Sequence, residues 1–200
     1  MKIVQALEDP YYNEQSRILR NCYNVIENDI TYHYEFLISD FKAEIKCDSS
    51  LYLEEVVEEY HLKHPYIYEY YTKDHNFFMS YDKIYTFKLP ISIMQVSSVF
   101  LDQKRLDELK EHIDLDNLFF PVQIVDDEYV VLDKLHELYL ASLEGYRMVN
   151  VYMSEDTSLS KDYLYLTKEQ NIKIIKDMQI ISHEEYEEIL KQLNFILNLI

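Results

Sequence analysis

The chain contains 200 residues, of which 48% are apolar, and its 37 acidic and 19 basic side chains give a formal net charge of −18 at pH 7. This apolar content, with nine Phe and twenty Tyr, is sufficient for a folded core and excludes a disordered tail. The negative charge repels phosphate backbones and anionic lipid head groups, so neither ordinary nucleic-acid binding nor membrane binding is expected.

The cysteines and the N-terminal segment indicate the compartment. Cys22 and Cys47 are far apart in the sequence and form no CxxC motif, so we expect buried free thiols in a reducing compartment. The N-terminal stretch MKIVQALEDPYY lacks the apolar segment of a signal peptide. No run approaches the ~18 apolar residues that a membrane span requires. We therefore predict a cytoplasmic protein.

Residues 1–82 are predicted to form an N-terminal helix-hairpin-helix extension. Asp9 and Pro10 resemble a helix cap and a first-turn proline, and apolar residues at helical spacing follow, which predicts a helix over 10–27. Alternating apolar residues from Ile30 to Cys47, interrupted by Ser39-Asp40, predict a β-hairpin.

A second helix is predicted after Ser49-Ser50, which could cap it, and Pro65 should end it. One face of this helix carries the apolar residues Leu53, Val56, Val57 and Tyr60. The aromatic stretch PYIYEYYTKDHNFFMSYD that follows has no regular period, and it receives no assignment.

Residues 83–158 are predicted to form the central domain. The segment KIYTFKLP has the pattern of a strand that Pro90 stops. Asp102 is a predicted N-cap for a helix with Leu106, Leu109 and Ile113 inward. The segments PVQIV and YVVL on either side of an acidic turn at 126–128 predict a second hairpin.

The second hairpin continues into a predicted helix, for which Leu135, Leu138 and Tyr139 would form the buried stripe. Gly145, the only glycine of the chain, is placed to end this helix in a left-handed conformation. Alternation at Val149, Val151 and Met153 predicts one more strand.

Residues 159–200 are predicted to contain a strand at YLYL and an amphipathic helix. Ser182 and Glu185 have the spacing of a capping box, and an apolar face follows them. The polar face of this helix carries glutamates where a membrane-surface helix would carry lysines. We therefore expect the helix to pack on the core.

The order of elements over residues 88–154 resembles that of the ParB/sulfiredoxin-like superfamily. The segments that carry the resemblance are LPISIMQV, RLDELKEHI, FFPVQIVDDEYVVLD, LEGY and VNVYM, with His136, Tyr139 and Ala141 in matching places. They cover about one third of the chain. The resemblance implies an α/β (α+β) fold, with a small mixed sheet and helices.

The resemblance also implies a phosphate site where a strand ends and a helix begins. In the family, a glycine after an aspartate lets backbone N–H groups close on a phosphate, and an arginine in the first helical turn neutralises it. Here Asp133 and His136 match the family, whereas Lys134 occupies the glycine position and Glu137 the arginine position. We therefore predict a degenerate ligand site formed by Asp133, Lys134, His136 and Glu137.

The residues that carry catalysis in the superfamily are not retained. Kinase-like members have a carboxylate soon after the first strand, where this chain has Gln95, Ser97 and Ser98. The sulfiredoxin nucleophile is a cysteine immediately before the histidine, and that position is Leu135. We assign no catalytic residue, and the sequence favours a protein that is not an enzyme.

Other sets of polar residues are interpreted structurally. His61 and His64 have a spacing that could face one metal ion, but no third ligand is apparent and Pro65 follows them, so a solvated or capping pair is favoured. The acidic residues at 126–128 are explained as turn residues. The isolated histidines His33, His75, His112 and His183 are expected to be structural or exposed, and no metal site is assigned.

Three functional interpretations remain open. The first is a non-catalytic module that binds another protein, with a basic protein as the candidate partner, through an acidic, tyrosine-rich surface. The second is a nucleotide-binding phosphotransferase or sensor, similar to the free-serine kinases of the superfamily, in which Lys134, His136 and Asp133 handle phosphates and Mg²⁺ offsets Glu137. The third is DNA partitioning or cleavage, which the charge balance and the lack of a basic recognition helix oppose. The oligomeric state is left open.

Overall fold

The computed structural model describes residues 1–154 and 167–197, and the side chains of residues 193–197 are outside the description. The chain divides into two compact units, Met1–Tyr85 and Thr86–Ile200. Both units contain a sheet and at least one helix, which confirms the predicted mixed α+β class.

The first unit is built on a six-stranded sheet with the order β1-β2-β3-β4-β5-β6. Neighbouring strands are antiparallel except for β4 and β5, which are parallel and are joined through the helix α2. The elements are β1 (Lys2–Gln5), α1 (Glu14–Ile18), β2 (Cys22–Glu27), β3 (Ile30–Ser39), β4 (Lys42–Cys47), α2 (Leu53–Lys63), β5 (Glu69–Thr72) and β6 (Phe77–Ser80).

Aromatic side chains form much of the core of the first unit. The ring of Tyr60, from α2, stacks on that of Phe36, from β3, with centroids 3.7 Å apart and an interplanar angle of 3°. Tyr23 contacts both rings edge-on. Six tyrosines of this unit are buried, so part of the high tyrosine content belongs to its core: Tyr12, Tyr23, Tyr34, Tyr60, Tyr66 and Tyr70.

The prediction of a helix over residues 10–27 is wrong. Only Glu14–Ile18 is helical, with Asn13 as its N-cap, and Cys22–Glu27 is the strand β2. β2 lies between β1 and β3, and its first four residues are all buried because both faces of the strand are covered. A strand that is buried on both faces loses the alternation that identifies strands, so its apolar residues matched helical spacing by coincidence. Residues 1–82 are thus not a helix-hairpin-helix extension.

The other predictions for this unit are mostly confirmed. The hairpin is β3 and β4, and the apolar face of α2 is buried as expected. The prediction that Ser49-Ser50 caps α2 is wrong. The N-cap is Tyr52, which has a left-handed conformation and makes no side-chain capping bond. The unassigned aromatic stretch contains β5 and β6.

The second unit contains a mixed five-stranded sheet with the order β7-β12-β10-β11-β8. β10 pairs with β12 in parallel and with β11 in antiparallel orientation, and a two-stranded parallel sheet joins β9 to β13. The elements are β7 (Thr86–Pro90), β8 (Met94–Val96), β9 (Phe100–Asp102), α3 (Gln103–Lys110), β10 (Phe119–Val125), β11 (Glu128–Val131), α4 (Leu135–Leu143), β12 (Met148–Met153), β13 (Gln179–Ile181) and α5 (His183–Leu197).

Several local predictions for the second unit are confirmed. Asp102 caps α3, Gly145 has a φ of +84° after α4, and Ser182 and Glu185 form a reciprocal capping box before α5. The buried stripe of α4 differs, since Leu138, Leu140, Ala141 and Ser142 are buried while Leu135 and Tyr139 are half-buried. The predicted strand at YLYL lies outside the described residues.

Candidate functional site

The predicted ligand site lies where β11 passes into α4. Lys134 is the N-cap of α4 and has φ 62° and ψ 35°, which is the left-handed conformation that glycine adopts most easily. Its backbone N–H donates to Oδ1 of Asp133 at 2.7 Å, and its carbonyl accepts the N–H of Leu138 at 2.9 Å. The backbone thus keeps a glycine-like turn although the residue is a lysine.

The ammonium group of Lys134 bonds to the protein's own backbone. Nζ donates a hydrogen bond to the carbonyl oxygen of Phe119, at the start of β10, at 3.0 Å. An ammonium group that satisfies a strand-end carbonyl contributes a charge-assisted hydrogen bond between β10 and the α4 junction. The positive charge of Lys134 therefore has a structural partner within the protein.

His136 links α4 to α3. Its Nε2 accepts the backbone N–H of Asp102 at 2.9 Å, so the bond requires an unprotonated Nε2 and a neutral ring that carries its proton on Nδ1. The Asp102 carboxylate accepts the N–H of Lys104 through Oδ1 and lies 2.8 Å from Nδ1 of His183 through Oδ2. A buried aspartate thus connects a histidine in the first turn of α4 with a histidine at the start of α5.

Glu137 is paired with a cation that no local sequence pattern predicts. Its Oε1 lies 3.7 Å from a guanidinium nitrogen of Arg105, on α3, and both side chains are 15% exposed. Arg105 also lies 3.9 Å from Glu108 on its own helix. The carboxylate of Glu137 is therefore largely compensated, and the cation that compensates it is shared between two carboxylates.

The four predicted site residues are adjacent along the chain, but three of their side chains bind groups of the second unit. Lys134, His136 and Glu137 contact β10, β9 and α3 respectively, whereas Asp133 is exposed and holds the turn. Sequence reasoning missed Arg105 and the role of His183. The only local signal was the predicted cap at Asp102.

The remaining histidine pair of the sequence analysis does not converge on one point. Nδ1 of His61 lies 2.9 Å from the carbonyl oxygen of Ile67, and its ring stacks on Tyr81 at 3.6 Å between centroids. His64 is the C-cap of α2, which fits the capping interpretation. Burial lowers the pKa of His61, partly offset by its bond to Ile67. In residues 1–154 and 167–197, no group of three or more metal-binding side chains could hold an ion.

His33 also has partners that its isolated position in the sequence concealed. Its Nδ1 lies 2.7 Å from Asp48 and its Nε2 3.7 Å from Asp9, and Tyr11 stacks on the ring at 3.8 Å. The backbone N–H of Tyr11 and the amide of Asn24 hold the pKa of Asp9 below its usual value. This cluster attaches residues 9–11 to β3, which is a structural role.

A cleft of about 340 Å³ lies beside this cluster in the first unit. Its lining mixes lysines, carboxylates and aromatic rings, and two of its carboxylates are engaged, Glu35 with Asn13 and Glu44 with His75. This mixture defines no single ligand chemistry. The lining residues are Tyr11, Tyr12, Glu35, Glu44, Lys46, Cys47, Lys73 and Asp74.

Comparisons with known proteins add little about function. No protein-family model and no curated protein sequence matches the chain. Protein Atu1540 from Agrobacterium tumefaciens matches 50% of this chain and 64% of its own, with 13% identity and a TM-score of 0.37. The C-terminally truncated chromosome-partitioning protein ParB from Caulobacter crescentus, complexed with CTP-gamma-S, matches 44% of this chain and 53% of its own, with 17% identity and a TM-score of 0.32.

This chain therefore spans less than two thirds of each of these two structures. Similarity at this level transfers neither a ligand nor an activity to this chain. Among the helices that the structure describes, none has the length and apolar content needed to cross a membrane.

Proposed function

We propose that the protein is a non-catalytic cytoplasmic module that binds another protein, and that its strand-helix junction is a structural joint derived from a phosphate site. The observation that carries the proposal is the inward bonding of Lys134, His136 and Glu137. A phosphate would have to displace these bonds before it gained any from the same groups. The displaced groups are partly buried, so leaving them unsatisfied would cost free energy.

The outward face of α2 supports a basic partner. Glu54, Glu55 and Glu58 are exposed on the side opposite the buried stripe, and none of them has an ion-pair partner within 4.0 Å among the residues that the structure describes. Leu51 and Leu62, near the two ends of this row, are 47% and 76% exposed. Carboxylates flanked by exposed leucines match a segment that combines lysine or arginine with apolar residues.

The tyrosines support the interface less than the sequence suggested. Among the described tyrosines, Tyr11 and Tyr85 are exposed, with 59% and 79% of their surface accessible, whereas seven others are buried. We therefore place the partner-binding surface on α2 rather than on a tyrosine-rich patch.

The first test measures binding of a fluorescent amphipathic lysine-leucine peptide to the full chain by anisotropy. The combined variant Glu54→Gln, Glu55→Gln and Glu58→Gln should weaken binding several-fold and reduce its salt dependence. A matched control neutralises the exposed turn of the second unit with Asp126→Asn, Asp127→Asn and Glu128→Gln, and should bind like the wild type. Equal weakening in both variants would mean that only net charge matters, and would contradict a surface on α2.

A nucleotide-binding sensor or phosphotransferase is the second candidate, because Lys134 retains the left-handed backbone of the family's glycine. Thermal unfolding with ATP, ADP and CTP, with and without Mg²⁺, separates the two proposals. A ligand at a hundred times its dissociation constant stabilises a protein by about 2.7 kcal/mol. We expect no shift. A shift that disappears in Lys134→Ala would favour the second candidate, and binding of a short DNA duplex at physiological salt would favour the partitioning interpretation.

A further inference from the structure

Residues 179–192, the C-terminal residues whose side chains the structure describes, bury little of their surface in the second unit. β13 pairs with β9 through three residue pairs, and Gln179 and Ile180 are exposed. No side chain of residues 183–192 is fully buried. Segments with few buried apolar contacts open at lower free energy than the core of the same domain. By this criterion, β13 and the first turns of α5 have low local stability.

Several of the contacts that hold this segment are made at or beside Asp102. His183, at the start of α5, lies 2.8 Å from Oδ2 of Asp102, and the side chain of Asp102 is 8% exposed. Ile181 of β13 pairs with Asp102 in the register of the small sheet. Tyr186, one turn further along α5, contacts the ring of His136 edge-on at 6.1 Å between centroids.

Asp102 also connects α3 to α4, next to the C-terminal segment. Its Oδ1 caps α3 and its N–H is held by His136. One buried residue thus bonds a helix end, the first turn of α4 and the loosely packed C-terminal helix. Undocking of α5 would uncover an aspartate and a histidine that are covered while it is docked.

We propose that β13 and the first turns of α5 form a detachable latch, held by the His183–Asp102 contact, that opens while the rest of the second unit stays folded. Detachment exposes the Asp102 carboxylate and one edge of His136. Attachment keeps the Asp102 carboxylate and His136 covered where α3 meets α4. The latch is independent of the proposed interface on α2, because it involves other residues of the chain.

Hydrogen exchange of the full chain, followed by mass spectrometry, tests the latch. In the wild type, amides of residues 179–192 should exchange through local opening, before those of β10 and β11. His183→Ala should accelerate exchange in 179–192 by roughly tenfold, which corresponds to about 1.4 kcal/mol. The same variant should leave β10 and β11 unchanged.

Two further variants keep the result interpretable. Asp102→Asn removes the carboxylate but leaves a good helix N-cap, so it should open the latch without unfolding α3. Glu184→Gln changes an exposed neighbour on the same turn and should exchange like the wild type. If residues 179–192 exchange only with global unfolding, or if His183→Ala accelerates the whole unit equally or not at all, the segment is an ordinary part of the core and the proposal is wrong.

Discussion

The guanidinium of Arg105 lies 3.7 Å from the carboxylate of Glu137 and joins α3 to α4. Both side chains are 15% exposed, so solvent screens the pair less than it screens a surface ion pair. We expect Arg105→Ala to lower the free energy of unfolding by about 1–2 kcal/mol, because it leaves a partly buried carboxylate without its cation. Urea denaturation of the two single variants and of the double alanine variant measures the coupling between the side chains.

Lys104 provides the control for this pair. It lies on the same helix, its side chain is 59% exposed, and it is 4.0 Å from Glu108. An exposed pair of this kind contributes little, so Lys104→Ala should change stability by less than about 0.5 kcal/mol. A coupling energy near zero for Arg105 and Glu137 would show that the carboxylate is compensated by solvent. The strand-helix junction would then be held by the bonds of Lys134 and His136 alone.

The left-handed backbone of Lys134 predicts a difference between two substitutions. Lys134→Gly and Lys134→Ala both remove the bond from Nζ to Phe119, but only alanine retains a Cβ at φ 62°. The glycine variant should therefore be more stable than the alanine variant by about 1 kcal/mol. At Glu108, inside α3, the same comparison should have the opposite sign, because glycine is unfavourable within a helix. Equal stability of the two Lys134 variants would contradict the left-handed assignment.

The parts of the fold that could be predicted from the sequence are those whose cause lies within a few residues. The Asp102 cap, the Ser182–Glu185 capping box and the left-handed Gly145 are all of this kind. β2 could not be predicted, because its burial depends on the neighbours that cover its two faces. Its residues carry no alternation that a local pattern could reveal.

The site shows the same limit. The position of the β11–α4 junction followed from the hairpin and the helix, and the structure finds it there. The partners of its side chains are distant in sequence: His136 bonds to a residue 34 positions away, and Asp102 bonds to His183, 81 positions away. Such contacts are set by tertiary packing, so Glu137 looked like an uncompensated charge until Arg105 was located beside it.

The two cysteines should differ in reactivity in the folded protein. Cys22 is fully buried, and burial raises the pKa of its thiol to about 11. The prediction that both thiols are buried is wrong for Cys47, which is only partly buried, although burial and the nearby Asp48 raise its pKa as well. At about pH 8, a thiol reagent should modify Cys47 slowly and Cys22 only after unfolding, because the thiolate is the reactive form. In Cys47→Ser, no thiol should react in the native state, and a fast reaction there would contradict the burial of Cys22.

His61 should make the protein less stable as the pH falls. Its pKa is lowered by burial in the folded state, whereas the unfolded chain has the ordinary value of about 6.5. Between these two values the unfolded state binds more protons, so the free energy of unfolding decreases as the pH drops below the unfolded pKa.

His61→Phe keeps an aromatic ring against Tyr81 but cannot be protonated. The decrease in the urea midpoint from about pH 7.5 to about pH 5.5 should therefore be smaller in this variant than in the wild type. Leu62→Ala changes an exposed neighbour without a titrating group, so it should show the same decrease as the wild type. If the wild type loses no more stability than His61→Phe at the lower pH, the ring of His61 is hydrated in solution and is not packed against Tyr81.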